Sequence, residues 1–137
     1  MALFSRSASS AEAVYARSID GEHLWLAVRG EGPLVLRGGG REIEVPHEVD
    51  GDLLVAVFPL TAALSDLEGD LELRLLAGRR AAAVGAPPPT SPGPGLETPA
   101  SSDGRWQLHV TSDDGEVVVR RSRRDVAAAA IAFRVSD

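Results

Sequence analysis

Residues 41–58 read REIEVPHEVDGDLLVAVF. Ile43 and Val45 alternate with Glu42 and Glu44, the period of two that a strand with one wet face requires. Pro46 has no N–H to give to a ladder, so residues 41–49 read as a single strand that is either a sheet edge or bulged. Asp50-Gly51-Asp52 is a hairpin turn, and residues 53–58 return as a buried strand ended by Pro59. This hairpin decides the fold class, because the same alternation recurs on both sides of it.

Toward the N-terminus, Leu24, Leu26 and Val28 point one way and His23, Trp25 and Ala27 the other. A Gly30-Glu31-Gly32-Pro33 turn leads to a strand at 34–36, and Gly38-Gly39-Gly40 permits a reversal at positive φ. Residues 11–17 form either one helical turn or the lead into the sheet. The first ten, MALFSRSASS, carry no period and are expected to be disordered.

Toward the C-terminus, Leu60, Leu64 and Leu67 have helical spacing, so residues 60–68 are the helical connection from one sheet to the other. Leu71, Leu73 and Leu75 alternate with Asp70, Glu72 and Arg74, and a turn at 77–80 leads to a weaker strand at 81–84. Residues 86–100, APPPTSPGPGLETPA, form a Pro/Gly-rich loop that packs no core. Beyond it Trp106, Leu108 and Val110 alternate, residues 112–115 turn, and residues 116–121 pair back. Ile131, Phe133 and Val135 mark a last strand, while the alanines of 125–130 suit helix or strand. GDLELRL at 69–75 and GRWQLHV at 104–110 echo each other, as one hairpin in two half-domains or as two hairpins obeying one pattern.

These signals predict an all-β protein, an antiparallel β-sandwich of eight or nine short strands, with a small closed β-barrel as the alternative. Residues 11–137 make one domain, which suits a chain of 137 residues. Val45, Leu54, Leu73, Leu108 and Phe133 belong to the core on this alternation. The chain is 44% apolar but only 4% aromatic, so the core is aliphatic, with Trp25 and Trp106 as its expected large anchors.

The net charge of −6 argues against nucleic-acid binding. All 14 cationic residues are arginine, as in GC-rich bacterial genomes. The absence of cysteine removes disulfides, thiolate zinc sites and thiol nucleophiles. The first residues lack a secretory apolar stretch, and the longest apolar runs, 53–60 and 126–133, fall short of the roughly 20 residues a membrane helix needs. The expectation is a cytoplasmic protein without membrane insertion.

The strand at 41–49, its DG turn, the return to Phe58-Pro59-Leu60 and the later G-x-L/W-x-L-x-V hairpins resemble a known group over residues 22–122. They are similar to the immunoglobulin-like accessory β-sandwiches of cell-wall glycopolymer glycosyltransferases of actinobacterial type. The resemblance implies a non-catalytic module that serves oligomerisation or binds polymer.

Candidate sites are few. His23, His47 and His109 share no metal-ligand spacing. The acidic turns at Asp50 and Asp52, at Asp66, Glu68 and Asp70, and at Asp113, Asp114 and Glu116 suit hairpin chemistry as well as calcium. Arg120, Arg121, Arg123 and Arg124 are a candidate contact for an anion or a partner, against the plainer reading of a charged, solvated strand end. Glu42 and Glu44 share one strand face and read as solvated. No G-x-S-x-G, P-loop or G-x-G-x-x-G occurs. Trp25 is the candidate ligand platform, because Leu24 and Leu26 take the opposite parity.

Three functional classes follow. The first is a non-catalytic interaction or oligomerisation module, whose partner is another protein or a second copy meeting at Ile131 and Phe133. The second is a glycan- or small-ligand-binding module built on Trp25. The third is a small β-barrel enzyme working through pocket shape. No cofactor, metal or catalytic residue is assigned.

Overall fold

The computed structural model describes residues 11–18, 20–87 and 106–123. Ten strands and one helical turn follow in chain order: β1 (Glu12–Arg17), β2 (Leu24–Arg29), β3 (Leu34–Gly38), β4 (Arg41–Val45), β5 (Glu48–Asp50), β6 (Leu53–Phe58), α1 (Leu60–Ala63), β7 (Leu71–Ala77), β8 (Ala82–Ala83), β9 (Trp106–Asp113) and β10 (Glu116–Arg123). They form two sheets. One has four strands in the order β1-β2-β6-β5, and the other six in the order β4-β3-β7-β10-β9, with β8 paired to β7. The fold is therefore a sandwich, and the closed-barrel alternative is set aside.

Residues 11–17, which suit helix or strand locally, form β1 because β2 supplies a hydrogen-bonding partner. Residues 41–49 are not one strand, as the alternation suggested. They break at Pro46 into β4, the edge of the six-stranded sheet, and β5, the edge of the four-stranded one. A residue without an N–H interrupts the ladder, and the chain uses the interruption to change sheets. The helical connection is also shorter than its spacing suggested: only residues 60–63 are helical. Leu60 and Leu64 nevertheless enter the core, one turn apart.

Inner-face parity follows the alternation. Val28 pairs with Leu54 and Leu26 with Ala56 in one sheet. In the other, Leu34 faces Val45, Leu36 faces Ile43, and Leu73 faces Val119. Val45, Leu54, Leu73 and Leu108 are all buried; Phe133 lies outside the described residues. The core is aliphatic but lacks its expected tryptophan anchors. Trp25 is 37% exposed and Trp106 half-buried, while eight leucines are fully buried, each worth about 1.5–3 kcal/mol on burial. With Leu24 and Leu26 taking the inward positions, Trp25 must face out.

The echoing segments 69–75 and 104–110 contribute β7 and β9, which flank β10 on either side of one sheet. They lie in one sheet with β10 between them, as two hairpins obeying one pattern. Along one side of the sandwich, residues 84–86 stitch the sheets together. Ala13 N–H donates to Gly85 O, Gly85 N–H to Ala11 O, and Val117 N–H to Val84 O, at 2.8–2.9 Å. On the other side the chain itself crosses at Pro46-His47.

Candidate interaction face

The outer face of the four-stranded sheet carries an unusual load of apolar side chains, and a bulge assembles it. Ala13 pairs with Val28 and points inward, but the register slips at Val14 before Tyr15 pairs with Ala27. The extra residue gives Tyr15 the same outward parity as Trp25 and Ala27, although two positions along a regular strand would have returned it to the inner face. Tyr15 and Trp25 are each 37% exposed and Val57, directly across from Trp25, is 52% exposed. Tyr15 and Trp25 are diagonal neighbours across β1 and β2, a relation that spans about 7–8 Å, within reach of aromatic rings.

Tyr15, Trp25, Val55 and Val57 line a groove of about 750 Å³, whose far wall is Pro46, His47 and Glu48. Gly32 lies against the His47 ring: a Cβ there would come within 2.6 Å of it. His47 is therefore half-buried at the corner between the sheets. Glu48 and Asp50 share the outer parity of Val55 and Leu53. Both are exposed, and among the described residues neither has an ion-pair partner. On the same face Glu12 pairs in register with Arg29, whose guanidinium holds Asp52 at 3.0 Å. Arg17 stands across from Trp25.

The arginine cluster does not act as one patch. Arg120 is exposed and lies 3.7 Å from Glu72. Arg123 is exposed, and its backbone N–H donates to Asp70. Arg121 has core parity and is 2% exposed. It donates to the carbonyls of Leu64, Leu67 and Gly69 at 2.8–2.9 Å, which closes the segment after α1. Burial lowers its pKa, and Asp70 opposes that shift. Its terminal nitrogens are thus committed to backbone carbonyls, and its buried Nε has no hydrogen-bond partner among the described residues. Arg124 lies outside the described residues, as do Ile131 and Phe133.

The remaining polar candidates have local work. His23 belongs to a turn: Asp20 Oδ1 accepts the N–H groups of Glu22 and His23, and Asp20 Oδ2 meets His23 Nδ1 at 2.7 Å. His109 is exposed on β9. Arg37 holds Glu42, Arg41 grips Asp66 through two hydrogen bonds, and Arg74 holds Asp113 and Glu116; Glu44 is exposed. Among the described residues no three His, Asp or Glu side chains gather to hold a metal ion. No helix among them is long and apolar enough to cross a membrane.

Parity alone set Trp25 on the face opposite Leu24 and Leu26, where the structure has it. Tyr15, Val55 and Val57 had no signal of their own, since Tyr15 reaches this face only through the bulge. Compared with known protein families, with curated proteins and with solved structures, the chain matches none.

Proposed function

We propose that this protein is a non-catalytic interaction module that binds a protein partner through the outer face of its four-stranded sheet. The observation that supports this most directly is the cross-strand group Tyr15, Trp25 and Val57, exposed together above a finished core. A contiguous exposed apolar patch in a soluble domain usually marks a contact surface, and tryptophan and tyrosine dominate the energetics of such contacts. Trp25, the residue on which a glycan-binding reading also rests, has Val57 directly opposite it and Val55 in the same groove, with the polar groups His47 and Glu48 on the far wall. Apolar aliphatic neighbours favour a polypeptide over a sugar.

The test is a selection of random displayed peptides on the full chain, counter-selected on Trp25→Ala and run beside a glycan array. Peptides enriched on the wild type and lost on Trp25→Ala are the expected result. Glycan binding that depends on Trp25, without peptide enrichment, would transfer the face to the carbohydrate reading.

A further inference from the structure

The pairing of β5 with β6 runs only from Asp50–Leu53 to Glu48–Val55. Beyond it, residues 56–58 of β6 keep β2 on one side and, among the described residues, have no strand on the other. The cause is local: Pro46 has no N–H to extend the ladder, and the chain turns off there toward β4. A short open edge therefore borders the groove where Trp25 and Val57 line it. An open edge offers main-chain donors and acceptors, and its natural complement is another extended backbone.

The charges around the groove select among extended segments. Glu48 lines it and Asp50 follows on the same outer parity, both exposed and without an ion-pair partner among the described residues. Of the cations on this face, Arg29 is already held by Asp52, and Arg17 stands on β1, two strands from β6. The side of the groove next to the open edge is thus acidic, and its floor is apolar and aromatic. Cationic side chains gain there twice, from the carboxylates and from the face of an exposed indole.

We propose that the groove takes an extended polypeptide bearing arginine or lysine, which adds to β6 at residues 56–58 and sets a cationic residue on the outer face beside Val57, its stem against Trp25 and Val57 and its charge toward Glu48, with Asp50 beyond it. This rests on the interaction reading above and narrows it to one mode and one sign of charge.

The test uses the full-length chain, labelled with ¹⁵N, and the peptide acetyl-Arg-Val-Arg-Val-Arg-Val-amide. Its controls are the same peptide with glutamate for arginine and a version N-methylated at alternate residues. The expected result is saturable binding of the basic peptide with amide shifts at residues 56–58. Affinity should fall about tenfold or more for the acidic peptide, for the N-methylated peptide and for Trp25→Ala. The double substitution Glu48→Arg and Asp50→Arg, at exposed positions, should reverse the charge preference. Binding that survives N-methylation or Trp25→Ala would reduce the effect to bulk attraction by an acidic protein and overturn the proposal. So would a wild type that self-associates on light scattering while Trp25→Ala runs as a monomer, since the occupant would then be a second copy. If the display selection yields Trp25-dependent peptides that are acidic or uncharged, the interaction reading stands and this one falls. If it yields none, both fall.

Discussion

The guanidinium carbon of Arg121 lies 4.0 Å from the centroid of the Trp106 ring. The two residues sit on adjacent strands of one hairpin, β9 and β10, with Leu108 directly opposite Arg121. The indole covers one face of a cation whose terminal nitrogens, but not its buried Nε, donate to three backbone carbonyls. A buried arginine is thereby solvated by protein, and the connection that follows α1 is tied to the middle of the six-stranded sheet.

Arg121→Met keeps the bulk but leaves those carbonyls without their donor. Destabilisation of about 2–4 kcal/mol is expected, measured as a shift of the urea midpoint. Arg121→Lys restores only part of it, because an ammonium cannot reproduce the planar fork. Arg123→Ala, two residues on and exposed, should stay within about 0.5 kcal/mol of wild type. Equal effects at both positions would mean that Arg121 does not hold the connection.

Two neighbouring glycines should respond differently to alanine. A Cβ at Gly38 would come within 2.0 Å of the Glu72 carbonyl oxygen, where β3 runs against β7. Backbone cannot swing aside as a side chain does, so Gly38→Ala should cost about 3 kcal/mol or more. Gly40 has φ +77° but open space around it, so Gly40→Ala should cost only the left-handed penalty, about 1–2 kcal/mol. Thermal unfolding of both variants checks the order, and a milder Gly38→Ala would contradict the tight β3–β7 contact.

Leu24 and Trp25 are adjacent but belong to opposite faces of β2. Leu24→Ala opens a cavity in the core, with an expected loss of about 2–5 kcal/mol. Trp25→Ala should cost less than Leu24→Ala, although it removes the larger side chain. Chemical denaturation of the pair measures this, and the reverse order would make Trp25 a core residue, not a surface one.

Asp20 gives a pH prediction. What burial it has pushes its carboxyl up, but the N–H groups of His23 and Glu22 and the His23 ring outweigh this, bringing the pKa from 3.8 down to about 2. A carboxylate with a depressed folded-state pKa stabilises the fold at pH values above its unfolded pKa. That contribution fades as pH falls below about 3.8 and is gone once the folded-state value near 2 is passed. Carbon-13 detection of the Asp20 carboxyl should show the low midpoint. Asp20→Asn should flatten the acid limb of the stability curve between those values, and a midpoint at the ordinary value would dissolve the turn as described.

Some of this protein was decided by its local sequence. Side-chain alternation is a property of the extended backbone itself, so Leu24, Leu26 and Val28, or Leu71, Leu73 and Leu75, declared their strands without knowledge of any partner. The turns at Gly39-Gly40 and Asp50-Gly51-Asp52 were legible for the same reason: their positive φ values are set within a few residues. Parity set Trp25 opposite Leu24 and Leu26, although its size had suggested a core anchor. Contacts between residues distant in sequence decided the rest. Pro46 announced an interruption, but only the competition between two sheets for the flanking strands made it a corner. Tyr15 reaches the groove because one bulged residue, Val14, shifts its parity against β2. Arg121 looked like one of four solvated charges, yet its inward register against Leu71 and Leu108 brings it within reach of carbonyls more than fifty residues away. Alternation assigns a side chain to a face, but it cannot say which face is the inside, or what lies across the core from it, until the strands have found their neighbours.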